Sequence, residues 1–238
     1  MIRIVFADVD GTLTIDRRSY ALDVDAINAI RKLAERGVLV SLVSSNSVPL
    51  LVGLRRYLGA KGPVVAETGA VVFSEEWGVL ILSKRRGREA FDDVMRAFGN
   101  YLEEGWQNPF MFVELTFKIK REHIDRGDEI FEAVREYVKH RHKDYKVDYS
   151  KYAIHLLPSE VDKGLGVREV LTRLAVRPDE AVAVGDSYMD AAMYRHVKYR
   201  AAVSNADEEL RREANVLLNN PSGKGFAELA EMIIAGAL

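Results

Sequence analysis

Asp8-Val9-Asp10-Gly11-Thr12-Leu13-Thr14 is the stretch on which the reading of this 238-residue chain turns. It follows an apolar run at residues 2–7, the pattern of a strand buried on both faces of a parallel sheet. Two carboxylates spaced two apart at a strand terminus would normally point to opposite faces. The chain must turn at once if both are to serve one site, and Gly11 permits that turn. An Asp-Gly step is also an ordinary turn, so the pair alone leaves both readings open.

Downstream, strand and helix signals alternate. Residues 23–36 predict a helix with Asp23 as N-cap, Ile27, Ile30, Leu33 and Ala34 at helical spacing, and Gly37 as a left-handed stop. Residues 38–43 read as a second buried strand. A helix at 48–58 follows, with Pro49 in its first turn and Gly59 after it. Residues 63–66 form a third short strand, and 71–73 with 79–82 a hairpin.

The pattern changes between residues 83 and 157. One amphipathic helix carries Phe91, Val94, Met95, Phe98 and Leu102, and a strand follows at 110–119. A second helix carries Ile130, Phe131, Val134, Tyr137 and Val138, and two alternating segments, 145–149 and 152–157, close the region. From Lys163 the first pattern resumes, with a helix to 175, strands at 181–184, 199–203 and 216–218, and helices after Ser187, at 207–212 and at 225–234. The fold class is α/β, a doubly wound, Rossmann-like parallel-sheet core at 1–82 and 158–238, interrupted by a smaller inserted α+β cap at 83–157. Ligands of such sheets sit at the carboxyl ends of the strands.

Composition narrows the function classes. Hydrophobic residues at 48% supply a core, and a net charge of −2 argues against a nucleic-acid or membrane partner. The basic runs Lys84-Arg85-Arg86 and His140-Arg141-His142-Lys143 are short and flanked by acids, as on a solvated face. The absence of cysteine excludes disulfides, thiolate catalysis and zinc–thiolate sites. No signal-peptide core or membrane-length apolar stretch is present, so a cytoplasmic location is expected. The single glutamine, Gln107, beside many Glu, Lys and Arg hints at a heat-adapted source.

Other strand ends carry chemistry of their own. Ser44-Ser45-Asn46 opens towards a helix, where hydroxyls and backbone N–H groups suit a phosphate or serve as a simple cap. Asp162-Lys163-Gly164 opens another helix; the ammonium either neutralises phosphoryl and carboxylate charge or is merely solvated. Gly185-Asp186-Ser187-Tyr188-Met189-Asp190 places two carboxylates one helical turn apart, as a site or as a capping pair. A Mg²⁺ ion takes oxygen ligands and keeps several waters, so such carboxylates with a substrate phosphate suit it. Four coincidences in this order favour function.

These residues closely resemble the four signature motifs of the haloacid dehalogenase superfamily of phosphohydrolases: Asp8-Val9-Asp10-Gly11-Thr12, Ser44, Lys163, and Gly185-Asp186-Ser187 with Asp190. The insert is similar to the large α/β cap of the archaeal phosphoglycolate phosphatase group. The resemblance implies that Asp8 attacks phosphorus and that Asp10 protonates the leaving oxygen and then activates water. It implies Mg²⁺ held by Asp8, the Asp10 carbonyl and Asp186, with Asp190 a direct or water-mediated ligand. Ser44, Ser45 and Lys163 would grip the phosphoryl group, and Asn46 and Asn205 would support the site, although Asn205 reads equally as a turn residue.

An acid at Asp10, where relatives that pump ions or cleave phosphonates differ, implies an ester leaving group. Met189 and Glu67-Thr68-Gly69 depart from the asparagines that similar proteins carry there. In the cap, Glu114, Thr116 and His155 are candidate substrate contacts or residues of a wet strand face. The implied substrate is a small phosphorylated metabolite, 2-phosphoglycolate first and a sugar phosphate second. A phosphosugar mutase and a receiver-like phospho-acceptor are the rivals, and a homodimer through an apolar cap face stays open.

Overall fold

A computed structural model describes residues 1–150 and 153–238. The expected start of the second alternating segment, Tyr152, lies outside the described residues. The chain divides into two compact units, Met1–Leu80 with Asp162–Leu238, and Ile81–Val161.

The first unit is built on one sheet in the order β12-β11-β10-β1-β2-β3-β4-β5. Its strands are β1 (Ile4–Asp8), β2 (Leu39–Val43), β3 (Val64–Ala66), β4 (Val71–Ser74), β5 (Gly78–Ile81), β10 (Ala181–Gly185), β11 (Tyr199–Ala202) and β12 (Val216–Leu217). From β12 to β3 all neighbours are parallel, and β4 turns back antiparallel on β3. Every residue of β1 and β10 is buried, as their unbroken apolar runs require of central strands. Helices α1 (Val24–Glu35), α2 (Val48–Leu58) and α5 (Lys163–Leu174) pack against the strands, and α8 (Ser222–Ile234) lies along α1. Two short helices, α6 (Ala191–Tyr194) and α7 (Glu208–Glu213), fill the remaining connections.

Local signals explain these boundaries. Asp23 caps α1 by accepting the Asp25 N–H at 2.7 Å, and Gly37 takes φ +75 after its last turn. The expected helix after Ser187 is a 3₁₀ turn at Tyr188–Asp190 before α6 begins, because the Asp190 carboxylate is drawn back to cap that turn. Helix α8 starts at Ser222, three residues before the expected 225.

The second unit is a four-stranded antiparallel sheet, β6-β7-β9-β8, with α3 (Arg88–Phe98) and α4 (Gly127–Arg141) packed on it. Its strands are β6 (Leu102–Glu104), β7 (Leu115–Ile119), β8 (Tyr145–Tyr149) and β9 (Ile154–Pro158). Phe91 and Phe117 stack at 4.5 Å in a core closed by Val94, Ile130, Val134 and Leu156. Two expectations need correction. Leu102 begins β6 rather than continuing α3, and the strand expected at 110–119 starts only at Leu115. A 3₁₀ turn at Asn108–Phe110 precedes it, and buried Asn108 accepts from the Thr116 N–H and hydroxyl, both at 2.9 Å. That side chain takes the place of a neighbouring strand.

Candidate active site

Asp8 closes β1, and the chain after it coils through one tight turn, with the Leu13 N–H bonded to the Val9 carbonyl at 2.8 Å. Gly11 makes the turn at φ +93, and a Cβ there would collide with the Asp186 carboxylate. Asp8 is buried, whereas Asp10 stands half-exposed.

From the end of β2, Ser44 turns inward and is 1% exposed. Its Oγ accepts from the Asn46 N–H at 3.1 Å and from Asn46 Nδ2 at 2.9 Å. The same Nδ2 reaches Asp10 Oδ2 at 3.1 Å, so Asn46 ties the first two strand ends together. Ser47, not Ser44, is the N-cap of α2, which removes the simple-cap reading of Ser44. Ser45 is half-buried beside it.

Lys163 is the first residue of α5 and only 4% exposed, so it is not a solvated lysine. Its Nζ lies 2.6 Å from Asp8 Oδ1 and 2.5 Å from Asp190 Oδ1. The N-cap Asp162 accepts the Leu165 N–H at 3.0 Å and fixes the helix start that aims this ammonium. The turn Glu67–Gly69 presses on the same point. Glu67 and Thr68 hold left-handed backbone at φ +52 and +51, and a Cβ on Gly69, at φ +98, would strike the Asp162 carbonyl.

Asp186 follows β10, and Asp190 lies one turn on. Asp190 Oδ2 accepts the N–H groups of Asp186 at 3.0 Å and Ser187 at 2.9 Å, so this carboxylate caps the turn and pairs with Lys163 at once. Asp8, Asp186 and Asp190 each offer an oxygen within 4.8 Å of the others, all three buried. The sequence reading missed Arg17, whose Nε meets Asp186 Oδ2 at 2.5 Å while Nη1 meets Asp207 Oδ1 at 2.9 Å. Its position in a polar loop carried no periodic signal that would have marked it.

The electrostatics follow from crowding. Burial, together with the charges of Asp190, Asp186 and Asp10, drives the Asp8 carboxyl well above the usual range, against the pull of Lys163. Burial and Asp190 push Asp186 up to about 7 despite Arg17 and Lys163. For Lys163 burial acts downward, but the carboxylates of Asp190 and Asp8 outweigh it and hold the ammonium above its ordinary value.

Asn205 lies elsewhere in its bonding. Both of its side-chain bonds go to Ser222, at 3.0 Å each, and they fix the start of α8. In the second unit, Glu114, Thr116 and His155 are all buried, which contradicts the wet-face alternative. His155 Nδ1 meets Glu114 Oε1 at 2.5 Å and its Nε2 meets Ser150 Oγ at 2.9 Å. The Thr116 hydroxyl is taken by Asn108.

The buried carboxylate–lysine cluster lies at the carboxyl ends of the parallel strands, where doubly wound α/β sheets hold their ligands. The chain belongs to the haloacid dehalogenase-like hydrolase family, whose sequence pattern matches residues 5–114 and 103–229. It is 40% identical to a phosphoglycolate phosphatase of Staphylothermus marinus over 98% of both chains. It is 38% identical to one of Metallosphaera sedula over 99% of this chain and 100% of that one. A crystal structure of a Thermoplasma acidophilum protein superposes with a TM-score of 0.85 at 25% identity, over 98% of this chain and 99% of the other. Among the described residues no helix is long and apolar enough to cross a membrane.

Proposed function

We propose that this hydrolase is a phosphatase that cleaves a small phosphomonoester, 2-phosphoglycolate foremost, through a phosphorylated Asp8. The observation that carries the reading is Lys163, buried between Asp8 Oδ1 and Asp190 Oδ1 at 2.6 and 2.5 Å. A buried ammonium set against two buried carboxylates at the strand ends suits a centre built to handle a bound anion. The full-length similarity to relatives named phosphoglycolate phosphatase supports the substrate.

The donor set fits a hard divalent cation. It is entirely oxygen, three carboxylates lie close enough to share one ion, and the lack of a Cβ at Gly11 lets the Asp186 carboxylate approach the turn after β1. Asp8 and Asp186, with the Asp10 carbonyl, would hold Mg²⁺. Asp190, already accepting two N–H groups and Lys163, is better suited to act through water. When bound, the ion supplies positive charge that offsets repulsion between a carboxylate and a phosphate ester.

The residues of the chain do the rest. Asp8 attacks phosphorus in line, the P–O ester bond breaks, and Asp10 gives its proton to the departing oxygen. Asp10, now ionised, takes a proton from the water that releases phosphate from Asp8. Asn46, bonded to Asp10 Oδ2 and Ser44 Oγ, keeps the acid turned towards the substrate. Ser44, Ser45 and Lys163 bind the phosphoryl oxygens.

The test is phosphate release from 2-phosphoglycolate and a panel of sugar phosphates, with Mg²⁺ and with chelator. Turnover that is lost with chelator and in Asp8→Asn is expected. Undiminished release by Asp8→Asn would sink the mechanism, and a sugar phosphate with the highest kcat/KM would replace the substrate.

A further inference from the structure

Arg17 sits in the loop that leaves the first motif, pinned at both ends by the Thr14–Leu22 bridge and by the Ile15 N–H bonded to the Ala21 carbonyl at 2.9 Å. Its guanidinium is engaged on three sides. Nε pairs with Asp186 Oδ2 at 2.5 Å, Nη2 donates to the Asp186 carbonyl at 3.2 Å, and Nη1 pairs with Asp207 Oδ1 at 2.9 Å. Asp207 is itself fixed, accepting the Tyr188 N–H at 3.0 Å and donating its own N–H to the Asp186 carbonyl at 2.8 Å.

The Asp186 carboxylate has neighbours besides Arg17. Thr12 Oγ1 approaches Asp186 Oδ1 at 3.4 Å, and the turn at Gly11 packs directly on the carboxylate. What Arg17 adds is charge. The three buried carboxylates Asp8, Asp186 and Asp190 face two cations, and Lys163 donates directly to Asp8 and Asp190 while Arg17 pairs directly with Asp186. Arg17 is therefore the cation in direct contact with Asp186.

We infer that Arg17 and a divalent ion compete for Asp186, so that ion binding lifts Arg17 Nε from the carboxylate while Asp207 keeps the side chain tethered. This rests on the reading of Asp186 as a cation ligand. A doubly charged ion within a few ångströms of a guanidinium is repelled, whereas both are drawn to the same carboxylate. Arg17 thus keeps the metal-free site stable at the expense of ion affinity. With 38% of its side chain exposed, it has solvent to move into.

The experiment is calorimetric titration of Mg²⁺ into the metal-free full chain, comparing wild type with Arg17→Met and Arg17→Lys. Removing the competing charge is expected to tighten Mg²⁺ binding about tenfold in Arg17→Met, with Arg17→Lys in between. Melting of the same samples supplies a second readout: Arg17→Met should lower the metal-free Tm and enlarge the rise on adding Mg²⁺. Binding by Arg17→Met that is unchanged or weaker, with wild type binding normally, would overturn the competition alone. Absence of Mg²⁺ binding in wild type would overturn both this inference and the cation reading beneath it.

Discussion

Lys163 Nζ lies 2.6 Å from Asp8 Oδ1, a contact between residues 155 positions apart in the chain. The segments on either side of the insert meet there, and neither ion has water to fall back on. Replacing Lys163 with Met leaves Asp8 and Asp190 buried without their cation. Breaking a buried pair from one side costs about 3 kcal/mol or more. Urea unfolding of Lys163→Met should show that loss, together with a fall in kcat of at least about 100-fold. Wild-type stability would mean that the carboxylates find another partner.

Asn46 offers a subtler test. Its Nδ2 spans Ser44 Oγ and Asp10 Oδ2, so Asn46→Asp sets a carboxylate against the acid it now supports. Like charges raise a carboxyl pKa. The acidic limb of the kcat–pH profile should move upward and kcat at neutral pH should fall about tenfold or more. Asn46→Ala should lower kcat without the pH shift, which separates charge from orientation.

Gly69→Ala probes the turn behind Lys163. The new methyl would strike the Asp162 carbonyl at the start of α5, and the left-handed backbone adds strain. A loss of about 2 kcal/mol in denaturant unfolding is expected. Phosphatase turnover should fall further than Mg²⁺ affinity, because the displaced element carries Lys163 and no cation ligand.

Acid should loosen the second unit through Asp93. Its carboxylate accepts from His142 at 2.9 Å, Tyr137 at 3.1 Å, and Arg96 and Arg141 at 3.2 Å each. The hydrogen bond from His142, then those from Tyr137, Arg96 and Arg141, hold its pKa below the ordinary value. A carboxyl depressed on folding stabilises above its unfolded pKa, near 4, and that contribution disappears as pH falls below it. Thermal unfolding followed at pH 3 and pH 6 should show a smaller difference for Asp93→Asn than for wild type.

Much of this was legible in the sequence, for identifiable reasons. Strands β1 and β10 announce themselves because both faces are buried and their residues are uniformly apolar. The four-residue spacing of Asp186 and Asp190 predicts a common side, and their carboxylates share one cluster. Leu102 misled because an apolar residue four after Phe98 continues a helical stripe, and only the break at Gly99 argues otherwise. The strand start at 115 was hidden because Asn108 replaces a strand partner with a side chain. Arg17 was invisible for the same kind of reason. Its meaning lies in Asp186 and Asp207, about 170 and 190 residues away, and no local pattern encodes a partner at that range.

The pairing of β1 with β10, Ile4 against Ala181 through Ala7 against Val184, also sets the order in which the molecule can be made. A ribosome delivers the strand bearing Asp8 long before its neighbour β10. Residues 81–161, whose core of Phe91, Phe117, Val134 and Leu156 is internal to that stretch, can collapse while the central strand still waits for half of its hydrogen bonds. Closure of that long loop is expected to make the pairing of β1 with β10 a late step of folding. Asp8, Lys163 and Asp190 can therefore meet only when those two distant segments do.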